Sequence, residues 1–188
     1  MTQVIDNLKL FLRTPSFPIS RFLEFLAEKG FYRKRTYLPY LPLSLHVGVT
    51  MRCNLRCVMC NLRALKYVDD LSYEDFRFIL SQVPAWTMRR LNFEGPGEPL
   101  INPDFLAMLT YAKKRGFVTH IFTNATLISD ENVVQLLRNC DEITVSIDGA
   151  TKETYEKIRR GAKFEHVINN VRKLANIKRK LHSSTKIV

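Results

Sequence analysis

Three thiols lie within eight positions of this chain, where Thr50-Met51-Arg52-Cys53-Asn54-Leu55-Arg56-Cys57-Val58-Met59-Cys60 spaces its cysteines C-x3-C-x2-C. One loop of that length can wrap a metal centre, and thiolates leave three chemistries open. A structural zinc ion wants four ligands, usually from two separated pairs, and the sequence contains no second pair. An iron-sulfur cluster suits thiolates as well, as an electron carrier completed by some other ligand. In the third case three thiolates serve four irons, which leaves one iron open to bind and reduce a substrate. Cys140 ends a helical pattern just before a strand, at the far end of the sheet from the loop, and reads as a small buried apolar residue.

Three further clusters carry unusual residues: Glu94-Gly95-Pro96-Gly97-Glu98-Pro99-Leu100, Thr123-Asn124-Ala125 and Ser146-Ile147-Asp148-Gly149. Each taken alone has a plain structural account as a turn or a helix cap. What they share is position. From Ser44 onward, short apolar runs alternate with longer helical ones. The strands expected are Leu45 to Val49, Arg90 to Phe93, Val118 to Phe122 and Ile143 to Ile147. Helices open at Ser72, with Asp75 at the capping-box position, at Asn102-Pro103-Asp104, at Ser129 and at Thr151. Gly116 stops the second helix, and the Thr151 segment breaks near Gly161 before resuming through Phe164, Val167, Val171 and Leu174. This order implies an α/β fold with a parallel sheet, whose ligands gather at the carboxyl ends of the strands. All four clusters fall at such ends, which argues for one site. Ser146 and Asp148, two apart, are expected on one face of a strand.

Residues 1–43 form a preface, with helical patterns around Val4 to Leu12 and Arg21 to Ala27, a stop at Gly30, and an extended approach through Pro39 and Pro42. With 46% hydrophobic and 25% charged residues among 188, the composition is that of a globular protein. No secretory signal pattern opens the chain and no apolar run reaches membrane-spanning length. With no disulfide framework either, a reducing, cytoplasmic setting is expected. The formal charge of +11 admits an acidic partner, but no basic-aromatic motif points to nucleic acid. His46, His120, His166 and His182 have no ligand partner at metal spacing and read as packed or solvent-facing, and Arg159-Arg160 reads as a solvated helix face.

The C-x3-C-x2-C loop after a first strand resembles the signature of the radical S-adenosylmethionine superfamily, and Thr-x-x-Cys-Asn-Leu-Arg-Cys resembles its SPASM and molybdenum-cofactor-cyclase branches. Gly-Pro-Gly-Glu-Pro is similar to the family's Gly-Gly-Glu-Pro, with Pro96 replacing one glycine. Thr-Asn-Ala is similar to Thr-Asn-Gly, and Ser-Ile-Asp-Gly to Ser-Leu-Asp-Gly. The resemblance covers roughly residues 44 to 181. It implies a partial (β/α) barrel of about four βα units, incomplete at the carboxyl terminus, with the core domain spanning 44–188. It implies a [4Fe-4S] cluster on Cys53, Cys57 and Cys60 that cleaves S-adenosylmethionine reductively to a 5′-deoxyadenosyl radical, fed by a donor such as flavodoxin or ferredoxin. Gly95, Gly97 and Glu98 are then expected at the cofactor's amino group, with Glu98 adding negative charge beside an ammonium. Thr123, Asn124, Ser146 and Asp148 are expected at its ribose or methionyl part, and Met59 near the adenine. The resemblance names neither a catalytic side chain nor the molecule attacked, be it small molecule or peptide. An iron-sulfur electron-transfer module would account for the cysteines but not for the other three clusters.

Overall fold

The computed structural model describes residues 44–62, 69–83 and 90–188; the preface, with its two helical patterns, lies outside them. The elements run β1 (Ser44–Val47), α1 (Tyr73–Ser81), β2 (Arg90–Phe93), a single 3-10 turn (Pro99–Ile101), α2 (Phe105–Lys114), β3 (Val118–Thr123), α3 (Val133–Asn139), β4 (Glu142–Val145), α4 (Lys152–Ile158), α5 (Phe164–Lys180) and β5 (Lys186–Ile187). The five strands pair in sequence order, all parallel, which is the arrangement of a partial (β/α) barrel. The strands expected from the sequence are present, and Lys186-Ile187 adds a fifth beside β4. Two strands end sooner than expected, β1 at Val47 and not Val49, and β4 with consequences for the site. β4 ends at Val145, so Ser146 and Asp148 lie in the loop beyond it and not along one strand face. The amide of Ser146 makes one last bond across the sheet, to the Thr123 carbonyl at 2.9 Å, before the chain turns away.

Helix signals act where the residue types place them. Ser72 caps α1 by accepting from the Asp75 amide at 3.0 Å, and Thr151 caps α4 through the Thr154 amide at 3.3 Å. Gly116 follows α2 at φ +88°, a left-handed conformation that a side chain resists.

The short strands alternate between two environments. Leu91, Phe93, Ile121 and Ile143 face the helices and are fully buried. There Phe93 meets Phe76 of α1 at 5.7 Å and Phe105 of α2, edge to face, at 5.2 Å between ring centroids. The other face is polar. Register pairs His46 with Asn92 and Asn92 with His120, so one row of side chains crosses three strands. Asn92 Nδ2 donates to His46 Nε2 at 3.0 Å, and Arg90 donates to His120 Nδ1 at 2.7 Å and to Glu142 at 2.8 Å. His120 Nε2 then donates to Thr144 at 2.8 Å. Burial holds the pKa of the His120 imidazole below its ordinary value, in keeping with a neutral ring that accepts from a guanidinium.

Phe93→Ala removes the ring on which α1 and α2 converge and should lower unfolding free energy in urea by about 3–5 kcal/mol. Phe78→Ala, on a side chain left 68% exposed, should change it by less than about 0.5 kcal/mol.

Candidate functional site

The loop that leaves β1 is fastened at its base before it reaches the cysteines. Residues 69–71 return alongside it: the Leu71 amide donates to Val49 O at 2.9 Å and the Met51 amide to Asp69 O at 3.2 Å. Thr50 donates to the Asp70 carboxylate at 2.5 Å, and Arg52 binds the same carboxylate with two of its nitrogens. Burial works to raise the Asp70 carboxyl, but the bonds from Arg52 and Thr50 outweigh it and hold the group below the ordinary carboxylate range.

From there the chain runs to Cys53, where the Leu55 amide donates to the sulfur at 3.5 Å, and on to a tight turn closed by the Cys60 amide on Cys57 O at 3.1 Å. Leu55 plugs the loop into the core. Cys53 and Cys57 are half-buried and Cys60 is exposed. Burial pushes the thiols of Cys53 and Cys57 up, and the charge of Cys60 bears on both. Cys140 stands apart, buried at the opening of β4, with its thiol donating to Glu142 O at 2.9 Å and pushed up by burial to about 12.

The Glu94–Leu100 segment packs directly on this loop. Gly95 crosses Gly48 so closely that a Cβ on Gly95 would lie 2.7 Å from the Gly48 Cα. At Gly97 a Cβ would sit 2.4 Å from Thr50 O and 2.6 Å from Arg52 O, so only glycine fits. The next amide, of Glu98, donates to Arg52 O at 2.8 Å. The Glu98 side chain is 2% exposed, and its carboxylate accepts from Thr123 Oγ1 and from the Asn124 amide, each at 2.7 Å, and from the Leu100 amide at 3.4 Å. Burial pushes its carboxyl up against the pull of those donors. The carboxylate is thus turned into the protein as a tie between loops.

The third and fourth clusters join the same assembly. Asn124 Nδ2 donates to Asn54 Oδ1 at 3.0 Å and approaches Cys53 Sγ at 3.9 Å, while Asn54 donates to Thr126 at 2.7 Å. Ala125, where the similar motif has glycine, takes a positive φ of 57°. Beyond Ser146, Asp148 pairs with Arg159, and Gly149 lies so close beneath α4 that a Cβ would meet the Tyr155 amide nitrogen at 2.6 Å. Residues 158–160 grip the cysteine loop, since the Arg56 amide donates to Arg160 O at 2.8 Å and the Val58 amide to Ile158 O at 2.9 Å. Met59 is exposed at the loop's outer edge. The loops after all four strands are thus connected through hydrogen bonds at one end of the sheet.

Asn54, Gly48, Tyr155 and the Arg52–Asp70 pair belong to this assembly without having been singled out from the sequence. Asn54 and Arg52 stand inside the cysteine motif, which was the available signal. Arg159 corrects a reading: its side chain is 14% exposed and not part of a solvated face.

A single metal ion would need its donors to converge, and among the described residues no three His, Cys, Asp or Glu side chains do so. A cluster asks for less, because each thiolate meets a different iron. Among the described residues one buried side-chain polar atom lacks a partner, the Tyr155 hydroxyl, which lies within electrostatic reach of Cys57, Arg159 and Asp148. Three thiols on a fastened loop beside a spare buried donor fit an iron-sulfur group.

A parallel sheet in sequence order with its polar loops joined at the carboxyl ends defines a (β/α) barrel-type domain carrying a rim site. Residues 47–188 match the model of the Radical SAM superfamily, and the chain belongs to that superfamily. It is 38% identical over 94 residues to a tungsten-containing aldehyde ferredoxin oxidoreductase cofactor-modifying protein of Pyrococcus furiosus, covering 49% of this chain and 26% of the relative. With a probable GTP 3′,8-cyclase of Methanothermobacter marburgensis it shares 32% over 127 residues, covering 66% of this chain and 41% of the relative. The structure of Streptococcus suis SuiB bound to S-adenosylmethionine has a similar fold, with a TM-score of 0.62 at 23% identity over 73% of this chain and 32% of that one. The chain therefore spans less than half the length of each of these proteins. No helix among the described residues is long and apolar enough to cross a membrane.

Gly97→Ala should push the Glu98 loop off the cysteine loop, lowering the melting temperature and raising the rate at which maleimide labels the loop thiols in metal-free protein. Unchanged labelling would refute the tight contact. A second expectation concerns acid. A carboxyl held below its unfolded value stabilises the fold above that value, near 3.8 for Asp70, and the contribution is lost as pH falls through the folded one. Asp70→Asn should therefore be less stable than the parent at neutral pH, and the two should converge towards pH 3 in urea titrations.

Proposed function

We propose that the domain is the core of a radical S-adenosylmethionine enzyme, with Cys53, Cys57 and Cys60 holding a [4Fe-4S] cluster and residues 44–188 forming the core behind the 1–43 preface. When bound, the cluster supplies an electron that cleaves S-adenosylmethionine to a 5′-deoxyadenosyl radical. One observation carries this reading: the Gly95–Glu98 and Thr123–Asn124 segments bond to the cysteine loop directly, and Ser146–Gly149 joins it through Arg159 and the carbonyls of 158–160, an arrangement that an electron carrier alone would not require.

The residues divide the work. Gly95 and Gly97 let their backbone close against the cysteine loop, which sets the segment's polar groups beside the cofactor's amino acid end. Glu98, through Thr123 and Asn124, keeps those backbones in register, which makes it a positioning residue. Ser146 and Asp148, beyond the end of β4, offer polar groups for the ribose or methionyl part, and Met59 an apolar side chain for the adenine. Catalytic side chains acting on the substrate are not assigned. The substrate is a small molecule or peptide, the electron donor an acidic flavodoxin or ferredoxin attracted by the basic surface, and the setting cytoplasmic.

Anaerobic reconstitution should give about four irons and four sulfides per chain. Cys53→Ala, Cys57→Ala and Cys60→Ala should each lose them, while Cys140→Ala should not. Adding S-adenosylmethionine should change the electron paramagnetic resonance spectrum of the reduced cluster, with 5′-deoxyadenosine released slowly. A full cluster in the Cys57→Ala protein would defeat the ligand assignment. An unaltered spectrum and no 5′-deoxyadenosine would leave an electron carrier.

A further inference from the structure

Arg159 and Arg160 are adjacent in sequence but meet different surroundings. The hydrogen bonds from the Arg56 and Val58 amides to the carbonyls of Arg160 and Ile158 bracket Cys57 on one segment and Arg159 on the other. Arg160 is exposed, whereas the Arg159 guanidinium is largely covered, with Nε donating to the Asp148 carboxylate. Closing α4 does not require this side chain, because the Arg159 backbone amide already caps the helix on Tyr155 O at 2.7 Å. The cation also lies within electrostatic reach of Glu98 and Tyr155, so its field covers the inner side of the cysteine loop.

We propose that Arg159, aimed by Asp148, sets the reduction potential of the cluster held by the loop. The inference rests on the cluster reading given above. In the step concerned, one electron passes from an external low-potential reductant to the cluster, whose charge falls by one. No bond forms or breaks and no proton is needed. A fixed, poorly hydrated cation favours the more negative of the two charge states and so raises the potential. The Asp148 carboxylate opposes that field while holding the guanidinium in place. Arg159 is a tuning residue and touches no reacting atom in this account. Its partner Asp148 was singled out from the sequence for contact with the cofactor, and the two roles separate experimentally because the potential is measurable without S-adenosylmethionine.

The test is an electrode-poised redox titration of reconstituted protein, followed by electron paramagnetic resonance, with S-adenosylmethionine absent. At a fixed potential Arg159→Met should lower the ratio of reduced to oxidised cluster about tenfold, equivalent to ~59 mV for a one-electron couple. Arg159→Lys, which keeps the charge, should stay closer to the parent, and Asp148→Asn should shift the ratio the opposite way, towards the reduced form. Parent-like potentials in both Arg159→Met and Asp148→Asn, with full clusters, overturn the inference and leave the cluster reading standing. A parent that builds no cluster overturns both. If Arg159→Met fails to retain iron, Asp148→Asn decides: a more reduced cluster supports the inference, and an unchanged one defeats it.

Discussion

The buried carboxylate of Glu98 is the point through which the loops of this domain are held to one another. Taking a carboxylate out of water costs several kcal/mol unless donors replace the lost hydration. Here a hydroxyl from Thr123 and amides from Asn124 and Leu100 do so, while the Glu98 amide itself reaches Arg52 O. Three loops, after β1, β2 and β3, therefore share one residue. Moving the loop after β3 would strip a buried carboxyl of donors, and moving the loop after β1 would break the bond from the Glu98 amide, which couples their positions more strongly than contact between surface loops would.

That coupling stands on a sheet with two unlike faces. The helix-facing side is closed by aromatic and branched residues, and its burial supplies the stability. The opposite side carries the Glu94–His46–Asn92–His120–Thr144 row, with Arg90 bridging to Glu142. Two charged imidazoles in this row would be donors only, with no ring nitrogen left to accept from Asn92 or Arg90. Instead, Asn92 donates to one ring and Arg90 to the other, which leaves each polar atom of the row matched and fixes which ring nitrogens carry protons.

The order of elements was legible because period-two apolar runs alternate with capped helical ones, and Ser72, Thr151 and Gly116 act as their types suggest. The sites at strand ends were legible as unusual residue types in the expected places. Orientation was not. Burial and three donors turn the Glu98 carboxylate inward, and no pattern in the chain encodes that. Arg159 and Arg160 look identical in sequence, and only the pairing of 158–160 with the cysteine loop distinguishes them. The end of β4 differs for a related reason: Ile147 continues the apolar run, but the Ser146 amide makes the last bond to β3, so hydrogen bonding and not hydrophobicity sets the boundary.

The cysteine loop is held almost entirely by groups other than its thiols. Leu55 anchors it in the core. Arg52 and Thr50 bind Asp70, Asn54 joins the Asn124–Thr126 pair, and the amides of Arg56 and Val58 reach across to 158–160. Cys53 and Cys57 lie between these attachments, each flanked on the chain by residues with a structural duty, and Cys60 follows just beyond the last of them. Among the described residues, only the Leu55 amide and the more distant Asn124 amide group approach a sulfur of this loop. A loop built this way keeps its shape whether or not its sulfurs are engaged. A metal centre can then bind with little of its affinity diverted to ordering the chain, since the conformational entropy has already been lost in folding.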